Sequence, residues 1–246
     1  MTPVRPRRPR GGGGRRRAAL SALVLGVTLT ACGTRSAAPP AAAPPARSTP
    51  TTATVPPTTT TVPPTTTTDP GTLPQTPAEP GFGAPLQAQM QVLWSAIVTD
   101  SPAAGAPAFF PRSAYLQMKT GVLADPDSDF TDRLVAFYGL DISAYHQQLG
   151  PGAATATLVD VLATPADAAW IGPGLCENTI GYWHLPGVRL VYQEGATVSS
   201  FAVDSLISWR GVWYVVHLGP NPRPENVGTV DDPQAGPGTP GPAGGC

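Results

Sequence analysis

The chain has 246 residues, 32 of them Pro and 27 Gly, while only 13% carry charge and 7% are aromatic. Helices and strands cannot absorb so many prolines, which excludes a chain that is globular throughout and leaves room for one or two folded domains. The net charge of −1 hides a segregation: seven of the fifteen basic residues lie in the first seventeen positions, and all sixteen acidic ones follow position 68.

Arg5, Arg7, Arg8, Arg10 and Arg15 to Arg17 open the chain, and residues 18–31 follow without a charge. This short run of Leu, Val, Ala and small polar residues has the length of an export signal's apolar core. It falls short of the roughly 18 residues of a membrane span. The arginines stay on the cytoplasmic side, because carrying them across a bilayer is costly. Leu29-Thr30-Ala31-Cys32-Gly33 closes the segment.

This ending resembles the lipobox of bacterial lipoproteins. The resemblance implies removal of residues 1–31, a thioether from Cys32 to diacylglycerol, and a protein held on the outer face of the cell membrane. At least two acyl chains make such attachment durable. Arg16-Arg17 leaves the general and twin-arginine export routes both open. A chain beginning at Cys32 keeps eight basic residues against sixteen acidic ones, a net charge of −8. That balance argues against nucleic acid as a partner.

Residues 32–83 read as a Pro/Thr-rich stalk, with Thr-Val-Pro-Pro-Thr-Thr-Thr-Thr at 54–61 and again at 61–68. With hardly any large apolar residue to offset the entropy of ordering, the segment is expected to be a disordered spacer.

A globular domain is expected over 84–220. Leu86, Met90, Leu93, Trp94 and Ile97 form one stripe of an amphipathic helix, with Pro85 in its first turn and Asp100-Ser101-Pro102 closing it. Short helices are expected over 103–110 and 111–119. Asp129 is read as the cap of a helix to Tyr138, and Asp141 as the cap of another to Gly150. Strands then follow over 155–162, 179–185, 188–193, 197–209 and 212–218, with tight turns at Pro186-Gly187, Glu194-Gly195 and Arg210-Gly211. Residues 221–246 read as a Pro/Gly-rich tail.

Helices followed by an antiparallel meander make an α+β fold, with N-terminal helices packed on a curved sheet. This order of elements resembles the cystatin-like or nuclear-transport-factor-like cone. The segments from Ala108 to Pro111, Tyr115 to Lys119 and Ser205 to Leu218 also resemble uncharacterised actinobacterial lipoproteins, a likeness that implies no activity.

Few residues suggest chemistry, and no cofactor or metal is implied. With Cys32 lipidated, Cys176 and Cys246 are candidates for a disulfide in the oxidising exterior. Asp125-x-Asp127-x-Asp129 opens like a calcium loop, but Phe130 and Ala136 stand where that loop needs Gly and Glu, so a solvated acidic loop is expected. His217 is placed by alternation on one face with Trp213 and Val215. If that face lines a cone, His217, Asp204 and Tyr182 are candidate polar groups of an apolar pocket. The expectation is a lipid-anchored lipoprotein presenting a non-catalytic domain that binds a small molecule or an envelope protein. An envelope enzyme whose site escapes motif reading, and an interaction module of an envelope complex, are the alternatives.

Overall fold

A computed structural model describes residues 68–242 of the chain; Cys32, most of the Pro/Thr-rich segment and Cys246 lie outside the described residues. The fold is α+β, with helices preceding an antiparallel sheet of six strands.

Helix α1 (Ala84–Val98) buries the stripe Leu86, Met90, Leu93, Trp94 and Ile97. Ser101 caps α2 (Pro102–Gly105) by accepting from the Ala104 N–H. Helix α3 (Arg112–Lys119) buries Tyr115 and Met118. The two helices expected to start at Asp129 and Asp141 are instead one uninterrupted helical run. It comprises α4 (Pro126–Ser128), a π-helical segment (Asp129–Val135) and α5 (Ala136–Leu149). Asp125 takes the capping role by accepting from the Ser128 N–H, and Pro126 fits the first turn. Asp129 is occupied with side chains, and the Asp141 carboxylate is turned inward. Gly150, at φ +60°, ends the run.

The central strands are β1 (Thr157–Leu162), β3 (Tyr182–Glu194), β4 (Thr197–Trp209) and β5 (Val212–His217), paired in that order. Two strands were not expected: β2 (Ala169–Ile171) pairs with β3, and β6 (Asp231–Ala235) pairs with β4. Pro186-Gly187 is not a turn. One register joins β3 to β4 on both sides of it, from His184 opposite Ile207 to Val188 opposite Val203, and Gly187 takes a φ of +55° within the strand. The reversal into β5 is a two-residue loop with Arg210 at φ +52° and Gly211 at φ +77°, the double positive φ of a tight hairpin.

Cα partners share a sheet face, so the register assigns sides. One face carries Tyr192 and Phe201, which pack on Trp94 of α1 and Tyr145 of α5. The other carries Trp183, Arg189 and Trp213. Segments that the sequence places outside the domain also meet the sheet, on both faces. The stalk boundary at 83 moves back to Asp69: Trp209 Nε1 donates to the Pro70 carbonyl at 3.1 Å, Gln75 Nε2 to that of Ser208 at 2.8 Å, and Trp183 Nε1 to that of Pro77 at 3.0 Å. Phe82 packs on Trp213. The boundary at 220 also moves. Arg189, 1% exposed, pairs with Asp232, and the Asp231 N–H donates to Tyr145 Oη. Residues 69–83 thus strap the sheet, and the chain beyond Pro220 returns to extend it.

Candidate binding cavity

A cavity of about 450 Å³ lies where α3, the π-helical segment and a loop at 172–181 meet β3, β4 and β5. His217, Asp204 and Tyr182 all line it, together with Cys176. The face assigned to His217 by alternation is wrong. Leu206 pairs with Val215 but Ser205 pairs with His217, so Val216 is an extra residue, a bulge. The bulge moves His217 off the face of Trp213 and Val215 and onto that of His184, Ser205 and Ile207, all of which line the cavity.

Each wall is held by identifiable bonds. His184 Nε2 lies 2.8 Å from Ser205 Oγ, and Asn221 Nδ2 lies 3.4 Å from His217 Nε2. On the helical side, Arg133 and Asp129, one π-helical turn region apart, form an ion pair at 2.7 Å, and the Tyr115 hydroxyl donates to the same carboxylate. π-helical turns are frequent at functional sites, and Asp129, Arg133 and Leu134 of this one all border the cavity. The 172–181 loop is fixed at several points. Lys119 Nζ donates to the carbonyls of Cys176 at 3.3 Å and Glu177 at 3.1 Å, and the Thr179 N–H donates to the Met118 carbonyl at 2.9 Å. Cys176 is disulfide-bonded, and both other cysteines lie outside the described residues.

Burial sets the protonation states. Desolvation pulls His217 down to about 4, with Arg133 and Arg223 adding to the effect, so its imidazole is neutral at physiological pH. Burial also depresses His184. Asp204 is pushed up to about 7, first by desolvation and then by the nearby charges of Asp231 and Asp141. Burial raises Tyr182 to about 12, so its hydroxyl keeps its proton. Asp129 is held below the usual carboxylate range, chiefly by its bond from Arg133.

The carboxylates of the acidic loop are each engaged by the protein: Asp125 caps α4, Asp127 pairs with Arg112, and Asp129 pairs with Arg133. His146 is not part of the cavity; its Nδ1 lies 2.9 Å from the Ile97 carbonyl and ties α5 to the end of α1. A second hollow, of about 570 Å³, lies beneath Phe109, Phe130 and Tyr138 and is lined mainly by aromatic, Pro and Ala side chains. It lacks the convergent polar groups of the first.

No known protein family, curated protein or solved structure matches the chain. The cavity therefore stands on its geometry. Tyr115, Lys119, Arg133 and Asn178 were not among the sequence candidates. Nothing in their sequence positions points to a cavity, which exists only once the 172–181 loop closes over α3.

Proposed function

We propose that the chain is a bacterial envelope lipoprotein, held on the outer face of the cell membrane through Cys32, whose folded domain binds a small molecule without transforming it. The convergence of His217, Asp204 and Tyr182 on one cavity carries the binding half of this reading. Its volume suits a small organic ligand, and its wall combines convergent polar groups with the apolar side chains of Met118, Leu134, Ile171 and Ile207. The anchoring half rests on the order of basic run, apolar run and Cys32. Likeness to a nuclear-transport-factor-like cone is part of the same proposal, supported by helices laid against a bulged antiparallel sheet.

Each half has its own test. Cys32→Ser is expected to abolish incorporation of labelled palmitate and to move the chain out of the membrane fraction; retention in membranes at the processed size overturns the anchor. Val216→Trp, which projects a ring into the cavity, is expected to remove any small molecule released on denaturing the natively purified protein. Mass spectrometry finding the same released compounds from both proteins overturns the binding site.

One observation favours an enzyme instead: Asp204, titrating near neutrality, shares the cavity with a neutral His217. Such a carboxylate can accept or give a proton at physiological pH. Turnover of the co-purified compound by the wild type, lost in Asp204→Asn, would establish that reading in place of simple binding.

A further inference from the structure

Resting on the cavity as the ligand site, the structure narrows what the ligand can be. Asn178 is 3% exposed and borders the cavity. Its Nδ2 donates to the Cys176 carbonyl at 2.8 Å and to Tyr182 Oη at 3.3 Å. A carbonyl only accepts, so these bonds fix which way the amide is turned. The other end, Oδ1, is buried and has no hydrogen-bond partner. A buried acceptor left unmatched costs roughly 1–3 kcal/mol, which a ligand donor at this point would recover. Beside it, Tyr182 Oη accepts from Asn178 and so has its own proton left to give. A free hydroxyl proton and an unmatched buried acceptor thus stand side by side behind this part of the wall.

Charge limits the choice further. Lys119 and Arg133 on the cavity wall are matched by Asp129 and Glu177, and both histidines there are neutral. Asp204, the remaining carboxyl on the wall, is pushed up to about 7 and adds only part of a negative charge. No positive excess is left to compensate a buried anion, and no full charge to compensate a buried cation, so ionic ligands are costly to bury. Met118, Leu134, Ile171 and Ile207 supply apolar surface.

We infer that the cavity takes an uncharged molecule with a carboxamide-type edge, its N–H donated to Asn178 Oδ1 and its C=O accepting from Tyr182 Oη, and an apolar body against Met118, Leu134, Ile171 and Ile207.

The test uses the full chain with labelled histidine. Only three histidines occur, so the ring signals of His184 and His217 report the cavity and that of His146 serves as internal control. Four probes share one ring and differ in one group: benzamide, benzoate, benzylamine and toluene. Benzamide is expected to shift His184 and His217 but not His146, and to bind at least tenfold more tightly than the other three. Tyr182→Phe is expected to weaken benzamide by up to about tenfold while leaving toluene unchanged. Equal or tighter binding of benzoate, benzylamine or toluene, with the same two signals shifting, overturns the ligand class and leaves the binding site standing. Failure of all four probes to move either signal removes the site and the ligand class together. The comparison on the unaltered chain decides the matter even where Tyr182→Phe fails to fold.

Discussion

At the scale of single residues, burial has set two neighbours on the cavity against each other. Asp204 is raised to about 7 by desolvation, then by Asp231 and Asp141, with Arg223 opposing. The folded chain therefore holds a proton there that the unfolded chain loses near 4, and stability from this group falls as pH rises between about 4 and 7. His217 is lowered to about 4 by desolvation, then by Arg133, Arg223, His184 and Lys119. Here the unfolded chain binds the extra proton, so stability from His217 is complete above about 6.5 and is lost as pH falls towards 4. Over pH 4 to 6.5 the two slopes oppose. Relative to wild type, Asp204→Asn is expected to turn the dependence of stability on pH upward, because the histidine is left unopposed. His217→Gln is expected to turn it downward, because the carboxylate is left unopposed. Each change should be on the order of 1–2 kcal/mol across the window after solvent screening, read by urea unfolding at fixed pH steps. Slopes displaced from the wild type in the same direction in both variants would refute this assignment. His217 also marks the limit of reading residues from pattern. Strict alternation placed it with Trp213 and Val215, and the one-residue bulge at Val216 put it on the opposite face, inside the cavity. Nothing in Val215-Val216-His217 announces a bulge, because two valines suit a regular strand equally well.

At the scale of elements, the strongly patterned ones were legible. The apolar stripe of α1 and the β-branched runs of β4 and β5 occur where periodicity places them, since each element buries one side against a layer beside it. What escaped were segments stabilised from outside themselves. The strap from Asp69 to Phe82 has little apolar content and is held by the side chains of Trp183 and Trp209, and through its own Gln75 by the Ser208 carbonyl, all more than a hundred residues away in sequence. Such contacts exist only after the sheet has formed. Trp209→Phe keeps the buried ring but removes the bond to the Pro70 carbonyl, and should cost about 1 kcal/mol. Deleting residues 69–77 should cost more, because it also strips the bonds to Ser208 and Trp183; thermal unfolding that is unchanged by the deletion would contradict the strap. The 172–181 loop is the other element without a pattern of its own. If Cys32 carries lipid, its sulfur is unavailable for a disulfide, and Cys176 pairs with Cys246. Non-reducing peptide mapping should link the Cys176 peptide to the C-terminal one. A Cys176–Cys32 link would defeat both that pairing and the lipid anchor.

For the molecule as a whole, the decisive feature is how the chain beyond Pro220 is fastened to the helices. Asp141, 2% exposed in the middle of α5, accepts from the Gly219 N–H at 2.9 Å and the Thr229 N–H at 3.0 Å, and it forms an ion pair with Arg223. Burial raises its pKa despite these partners, so desolvation is the larger influence on the carboxylate. Arg223 is buried with it and lies over the Phe137 ring at 4.2 Å. Removing one member of such a pair leaves the other charged and uncompensated, whereas removing both does not. Asp141→Leu is therefore expected to destabilise the protein by about 3–5 kcal/mol, and Arg223→Met by a similar amount. The double variant Asp141→Leu/Arg223→Met should recover a large part of that loss, since apolar groups of similar size can replace a buried pair at little cost. Its coupling energy, from urea unfolding of all four proteins, is expected to be at least 1 kcal/mol. Strict additivity would mean that the pair does not fasten the segment. Asn221 borders the cavity, two residues from Arg223, so the clip also bears on the site. Loosening it in Arg223→Met should broaden the His217 ring signal before global unfolding begins, and an unaltered His217 signal would separate the fastening of the chain from the shape of the cavity.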